Sequence, residues 1–149
     1  MNQRSNLGLG LVTAYMVADT GLNIATSVMD YYAKKDTIED KDGSNKDFEA
    51  ATALSGISAG LLFIATVGGI PEMMGPTFGT IFSFMALGAS AGGLSAYARG
   101  YDKLDDSTSS NQKSALVLNI VSVSANLLAL IIQPVWSYYR RTHSETSPS

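Results

Sequence analysis

Residues 114–137 read SALVLNIVSVSANLLALIIQPVWS, a run without one charged side chain. A soluble helix of that length keeps a charged outer face, whereas an apolar run of about 18 residues or more is long enough to span a membrane. The run is not uniformly apolar. Asn119, Ser122, Asn126, Ala129 and Gln133 follow one another at intervals of 3, 4, 3 and 4. That is the spacing of a single helix face, and it has the period of a helix–helix seam.

Working outward, three more windows of the same kind precede it. Of the 23 charged residues in this 149-residue chain, only Asp19 falls within 7–29, 50–71, 77–98 and 114–136. The averages, 46% hydrophobic and 15% charged with a net charge of -3, conceal this segregation. The positions predict an all-α, polytopic membrane protein, a single domain over 1–149 with four transmembrane helices packed as a bundle. The spans are expected at about 7–30, 49–70, 77–98 and 114–137, each long enough at about 1.5 Å per residue to cross a hydrocarbon core. Polar loops are expected at 33–47 and 102–113, and a disordered tail at 142–149. The segment 71–76, PEMMGP, reads as a tight turn between spans 2 and 3, and Pro134 as a bend or stop in span 4.

The N-terminal segment MNQRSN places one positive charge before an apolar run. It reads as an uncleaved first span that also serves for targeting, because the run is too long for a signal peptide and contains Asp19. Tyr31, Tyr32, Phe48, Tyr97 and Tyr101 cluster at the loop side, and Phe78, Trp136, Tyr138 and Tyr139 at the other, as two interfacial belts. Seven Lys and Arg residues lie on the loop side (Lys34, Lys35, Lys41, Lys46, Arg99, Lys103, Lys113) against Arg4, Arg140 and Arg141. By the positive-inside rule the loops face the cytoplasm and the termini lie outside.

Composition excludes several classes of chemistry. Without Cys there is no disulfide, thiolate nucleophile or Cys-ligated metal, and the one His, His143, cannot build a multi-His site. No phosphate-binding loop occurs, and Leu7-Gly8-Leu9-Gly10 is glycine alternation at a span entry. The acidic balance gives no footprint for nucleic acid. No catalytic residue, cofactor or metal is therefore expected.

Two patterns inside the spans go beyond hydrophobicity. In span 2 Thr52, Gly56 and Gly60, and in span 3 Gly88, Gly92 and Ala96, repeat every fourth residue, the small-residue spacing that lets helix backbones approach. The expected use is packing within the 2–3 hairpin. In span 1 Asp19, Asn23, Thr26 and Asp30 follow intervals of 4, 3 and 4. Lipid cannot satisfy these groups, so they are expected to turn inward toward the stripe on span 4. Asp19 is expected to face Asn119, Asn126 or Gln133.

The function these features predict is a non-enzymatic structural or accessory subunit of a larger membrane assembly, such as an energy-transducing complex or a virion membrane layer. Its partners would be the lipid bilayer and other membrane subunits or further copies of the chain. The alternative is a small proton or ion channel or transporter working through Asp19, a holin-like pore included.

Overall fold

The computed structural model describes residues 3–37, 43–69, 76–104 and 108–144. They form four helices: α1 (Gln3–Lys35), α2 (Ser44–Gly69), α3 (Pro76–Asp102) and α4 (Ser110–Ser144). No strand occurs among the described residues. Each helix is long and apolar enough to cross a membrane, as a multi-pass integral membrane protein requires. Each packs on its two neighbours in a closed square, α1 on α2, α2 on α3, α3 on α4 and α4 on α1, while the diagonal pairs barely meet.

Helix extends beyond the apolar windows at several ends. Residues 33–35 and 44–47 of the expected first loop are helical, as are 102 and 110–113 of the second and 142–144 of the expected tail. The backbone ladder does not need lipid to continue, and charge at these ends suits it. Lys34 and Lys35 sit in the last turn of α1, Arg99 in the last turn of α3 and Asp47 in the first turn of α2, each complementing the local end of the helix dipole. At the start of α4, Ser109 and Gln112 form a reciprocal cap. The Gln112 amide donates to Ser109 Oγ (3.2 Å) and the Ser109 amide to Gln112 Oε1 (2.8 Å).

Pro134 does not stop α4, which runs on to Ser144. A proline removes one donor and leaves the carbonyl four residues earlier without its usual partner, a loss membrane helices tolerate where neighbours re-satisfy the backbone. Most of the PEMMGP turn lies outside the described residues, but α3 begins at Pro76, where a missing N–H costs nothing.

The interior is layered. Near the loop end Ala33, Phe48, Ala51, Ala96, Tyr97 and Ala115 form an apolar cluster, with the Phe48 and Tyr97 rings 4.9 Å apart. Toward the other end Met16, Leu62, Ala65, Ala86 and Ala129 form a second. Phe48 and Tyr97 are thus core residues, not members of the interfacial belt their position in sequence implied. Tyr31, Tyr32, Tyr138 and Tyr139 do remain exposed.

The small-residue stripes divide. Gly92 and Ala96 face α2: a Cβ on Gly92 would sit 3.4 Å from Leu54 Cδ1, and Ala96 is buried. Gly56 instead serves the α1 seam, 3.4 Å by the same measure from Ser27 Oγ. Gly60 and Gly88 face open space, and a Cβ there would meet nothing within 4 Å among the described residues, contrary to expectation. In the middle of the hairpin α2 and α3 approach closely at Gly93, where a Cβ would meet Ser55 Oγ at 3.3 Å and the Ala51 carbonyl at 3.6 Å. Substituting Gly93 by Leu is expected to lower stability in detergent by about 1–3 kcal/mol through overpacking. Gly60→Leu and Gly88→Leu should leave the thermal midpoint unchanged, which parallel melts followed by circular dichroism would check.

Candidate functional site

Every residue of the two predicted stripes points into the bundle. Asp19, Asn23, Thr26, Asp30, Asn119, Ser122, Asn126 and Gln133 are all buried, none more than 7% exposed. The physical reason is the one that shaped the sequence: hydrocarbon offers no hydrogen bonds, so a polar side chain in a span is stable only where protein supplies partners. Outward hydroxyls solve the same problem locally. Thr13, Thr20, Thr66 and Ser124 each donate to the carbonyl four residues back on their own helix.

Between the two apolar clusters the polar groups form three successive layers. Nearest the loops, Asp30 accepts from Asn119 Nδ2 at 2.6 Å and from Ser55 Oγ at 3.0 Å, so that α1, α2 and α4 meet on one carboxyl. One turn further, Thr26 Oγ1 and Ser122 Oγ are 2.6 Å apart. The next layer is the richest. Asn23 Nδ2 donates to Asn126 Oδ1 at 2.9 Å, and Asn126 Nδ2 returns a longer bond to Asn23 Oδ1 at 3.3 Å. Asn126 Nδ2 also faces Ser90 Oγ at 2.8 Å and Ser58 Oγ at 3.0 Å, which ties α2 and α3 into the same knot. Ser58 Oγ in turn lies 2.9 Å from Asn23 Oδ1 and 3.0 Å from the Ala86 carbonyl.

Asp19 belongs to this layer. Asn23 Nδ2 donates to its Oδ1 at 3.1 Å and to its carbonyl at 2.9 Å. The end of the Asn126 amide that faces α1 lies 2.9 and 3.1 Å from its two carboxyl oxygens. Of the three partners expected for Asp19, it is Asn126 that the fold delivers. Asn119 goes to Asp30 instead. Gln133 lies beyond the apolar cluster, where its Oε1 accepts from Ser83 Oγ (3.1 Å) and its Nε2 faces Met16 Sδ (3.6 Å).

The sequence reading missed the contributions of α2 and α3: Ser55, Ser58, Ser83 and Ser90. Their signal is present. Ala51, Ser55, Ser58, Leu62 and Ala65 follow intervals of 4, 3, 4 and 3, and Ser83, Ala86, Ser90, Gly93 and Tyr97 intervals of 3, 4, 3 and 4. These faces lie one residue, about 100° of rotation, from the glycine stripes that drew attention.

At the loop end the polar contacts run from the buried Tyr97 out to the exposed Asp36. Tyr97 donates to the Gln112 carbonyl (2.6 Å), and Asp36 Oδ2 accepts from Ser109 and Asn111. Asp47 pairs with Lys103 at 2.7 Å and Arg99 at 3.6 Å. Such partly exposed pairs are worth about 0–1 kcal/mol each. Among the described residues no group of three His, Cys, Asp or Glu side chains is placed to hold a metal ion.

The arrangement can position and exchange hydrogen bonds and hold protons. Asn126 is its hub, with partners on α1, α2 and α3. Replacing Asn126 by Ala strands several buried groups and should cost on the order of 3 kcal/mol. Ser124→Ala, two residues away on the outer face, should cost less than about 0.5 kcal/mol. Steric-trap or denaturant unfolding in detergent would measure both. No protein-family model, no curated protein and no solved structure matches this chain.

Proposed function

We propose that this chain is a non-enzymatic structural or accessory subunit of a larger membrane assembly, such as an energy-transducing complex or the membrane layer of a virion. The observation that carries the reading is the closed polar core. Its carboxyl, amide and hydroxyl groups are matched to one another, and the apolar layers of Ala33/Phe48/Tyr97 and Met16/Leu62/Ala129 lie on either side. Side chains used in this way hold a bundle together and are not available to a substrate.

The outer surface supports the same reading. Leu7, Leu11, Val17, Ile24 and Val28 on α1 and Val117, Ile120, Leu127, Ile131 and Val135 on α4 are exposed. A surface of this kind is suited to lipid and to the apolar flanks of other membrane subunits or further copies of the chain. With the loops in the cytoplasm, the ion-paired ends of α1, α2 and α3 would lie on that side.

A small channel or transporter with Asp19 on its path, a holin-like pore included, is the competing reading, and the apolar layers weigh against it. Extraction in mild detergent followed by size-exclusion chromatography and identification of co-migrating proteins tests the proposal. It predicts a species larger than the lone chain, and no proton or cation flux when the purified chain is placed in liposomes. A stable monodisperse monomer, or flux abolished by Asp19→Asn, would overturn it.

A further inference from the structure

The layer around Asp19 contains a conflict that its own geometry resolves. Asn23 and Asn126 form a reciprocal amide pair between α1 and α4, each nitrogen donating to the other's oxygen (2.9 and 3.3 Å). In this arrangement Asn126 Oδ1 is the atom that faces Asp19, 2.9 and 3.1 Å from the two carboxyl oxygens. Two oxygens this close are stable partners only with a proton between them.

Turning the amides does not remove the requirement while the pair is kept. If Asn23 and Asn126 both turn, Asn126 Nδ2 faces the carboxyl, but Asn23 Oδ1 comes to the position 3.1 Å from Asp19 Oδ1 and 2.9 Å from the Asp19 carbonyl. An amide oxygen again meets the carboxyl. Turning Asn126 alone aims both nitrogens at Asp19, as an ionised carboxylate would want. Asn126 Nδ2 then donates to Asp19 and to the Ser122 carbonyl (3.2 Å), and its Oδ1 accepts from Ser58 and Ser90. The cost is the pair itself: the two nitrogens stand 2.9 Å apart and the two oxygens 3.3 Å apart, with no hydrogen bond between them.

We infer that Asp19 is a proton-binding site, that its carboxyl O–H donates to Asn126 Oδ1, and that this proton is what allows the Asn23–Asn126 pair to bridge α1 and α4. Loss of the proton to water leaves a carboxylate, turns the Asn126 amide and exchanges the Asn23–Asn126 pair for a bond from Asn126 Nδ2 to Asp19, so that α4 is held to α1 through a different group. The ligand is one proton, and the responding element is one amide.

The surroundings fit. On its own helix, the titratable side chain one turn from Asp19 is Tyr15, whose hydroxyl donates to the Ala125 carbonyl at 2.6 Å. From α2, α3 and α4 the polar groups in this layer are Ser58, Ser90, Ser122 and Asn126, and the charged residues of those helices lie toward their ends. No cation is therefore placed to hold a carboxylate there among the described residues. Asp30 is different in kind. Its two oxygens meet only donors, Asn119 Nδ2 and Ser55 Oγ, so its geometry asks for no proton.

Asp19→Asn is then a mimic of the protonated state, because the new amide nitrogen can donate to Asn126 Oδ1 as the O–H did. Infrared spectra of the full chain in lipid at neutral pH, in H2O and D2O, with circular dichroism on the same samples, test this. The expected result is a deuterium-sensitive protonated-carboxyl C=O band in the wild type, lost in D19N and retained in D30N, with D19N as helical and as heat-stable as the wild type. Absence of the band from the wild type, its survival in D19N, its loss in D30N, or a D19N chain that unfolds where the wild type is folded would each overturn the assignment.

Discussion

A hydrocarbon environment supplies no hydrogen bonds, and the rest of this structure follows from how four helices meet that condition for one another. An unmatched polar group in such surroundings costs several kcal/mol, whereas a matched interhelical bond gains only about 0.6 kcal/mol on average. The imbalance makes the polar core a specifier more than a source of stability. Any register of α1 against α4 that separates Thr26 from Ser122, or Asp30 from Asn119, breaks these interhelical bonds, leaving Thr26 and Asn119 only carbonyls of their own helices and Asp30 only Ser55. The arrangement is selected because its neighbours are worse.

Size constrains the same interior. The inward polar residues of α2 and α3 are serines, with Ala51, Gly93 and Ala96 between them. Serine brings a hydroxyl with little more bulk than alanine, so Ser55, Ser58 and Ser90 can reach groups on α1 and α4 while α2 and α3 stay close. The longer amides and carboxyls are confined to α1 and α4, the pair whose seam they fill. Packing and hydrogen bonding are thus divided between opposite sides of the bundle, and Asn126 is where the two meet.

Much of this was legible in the sequence, and the failures are instructive. Four uncharged windows gave the helices, because membrane insertion writes a strong and simple pattern. The stripes on α1 and α4 gave the polar seam, because Asp, Asn and Gln in a span have no cheap alternative to facing protein. Serine and glycine carry no such compulsion. A serine can satisfy itself on its own helix, as Ser124 does, and a glycine can face outward into open space, as Gly60 and Gly88 do. The partners on α2 and α3 were therefore hidden among equally plausible outward residues. Helix ends were misplaced for a related reason: charge marks where lipid stops, not where the backbone ladder stops. Phe48 and Tyr97 illustrate a third limit, since an aromatic near a span end can serve either an interface or a core, and only packing decides.

The central claim is that the polar stripes of α1 and α4 face each other within a single chain. The absence of native cysteine makes it directly testable. Thr26→Cys and Ser122→Cys, introduced together, place two thiols where the hydroxyls now lie 2.6 Å apart. Oxidation in membranes, read as an intramolecular shift on non-reducing gels after proteolysis between the helices, should link this pair and leave an outward pair, Ile24→Cys with Ile120→Cys, unlinked. A disulfide in the outward pair, or a 26–122 link that forms only between chains, would contradict the account.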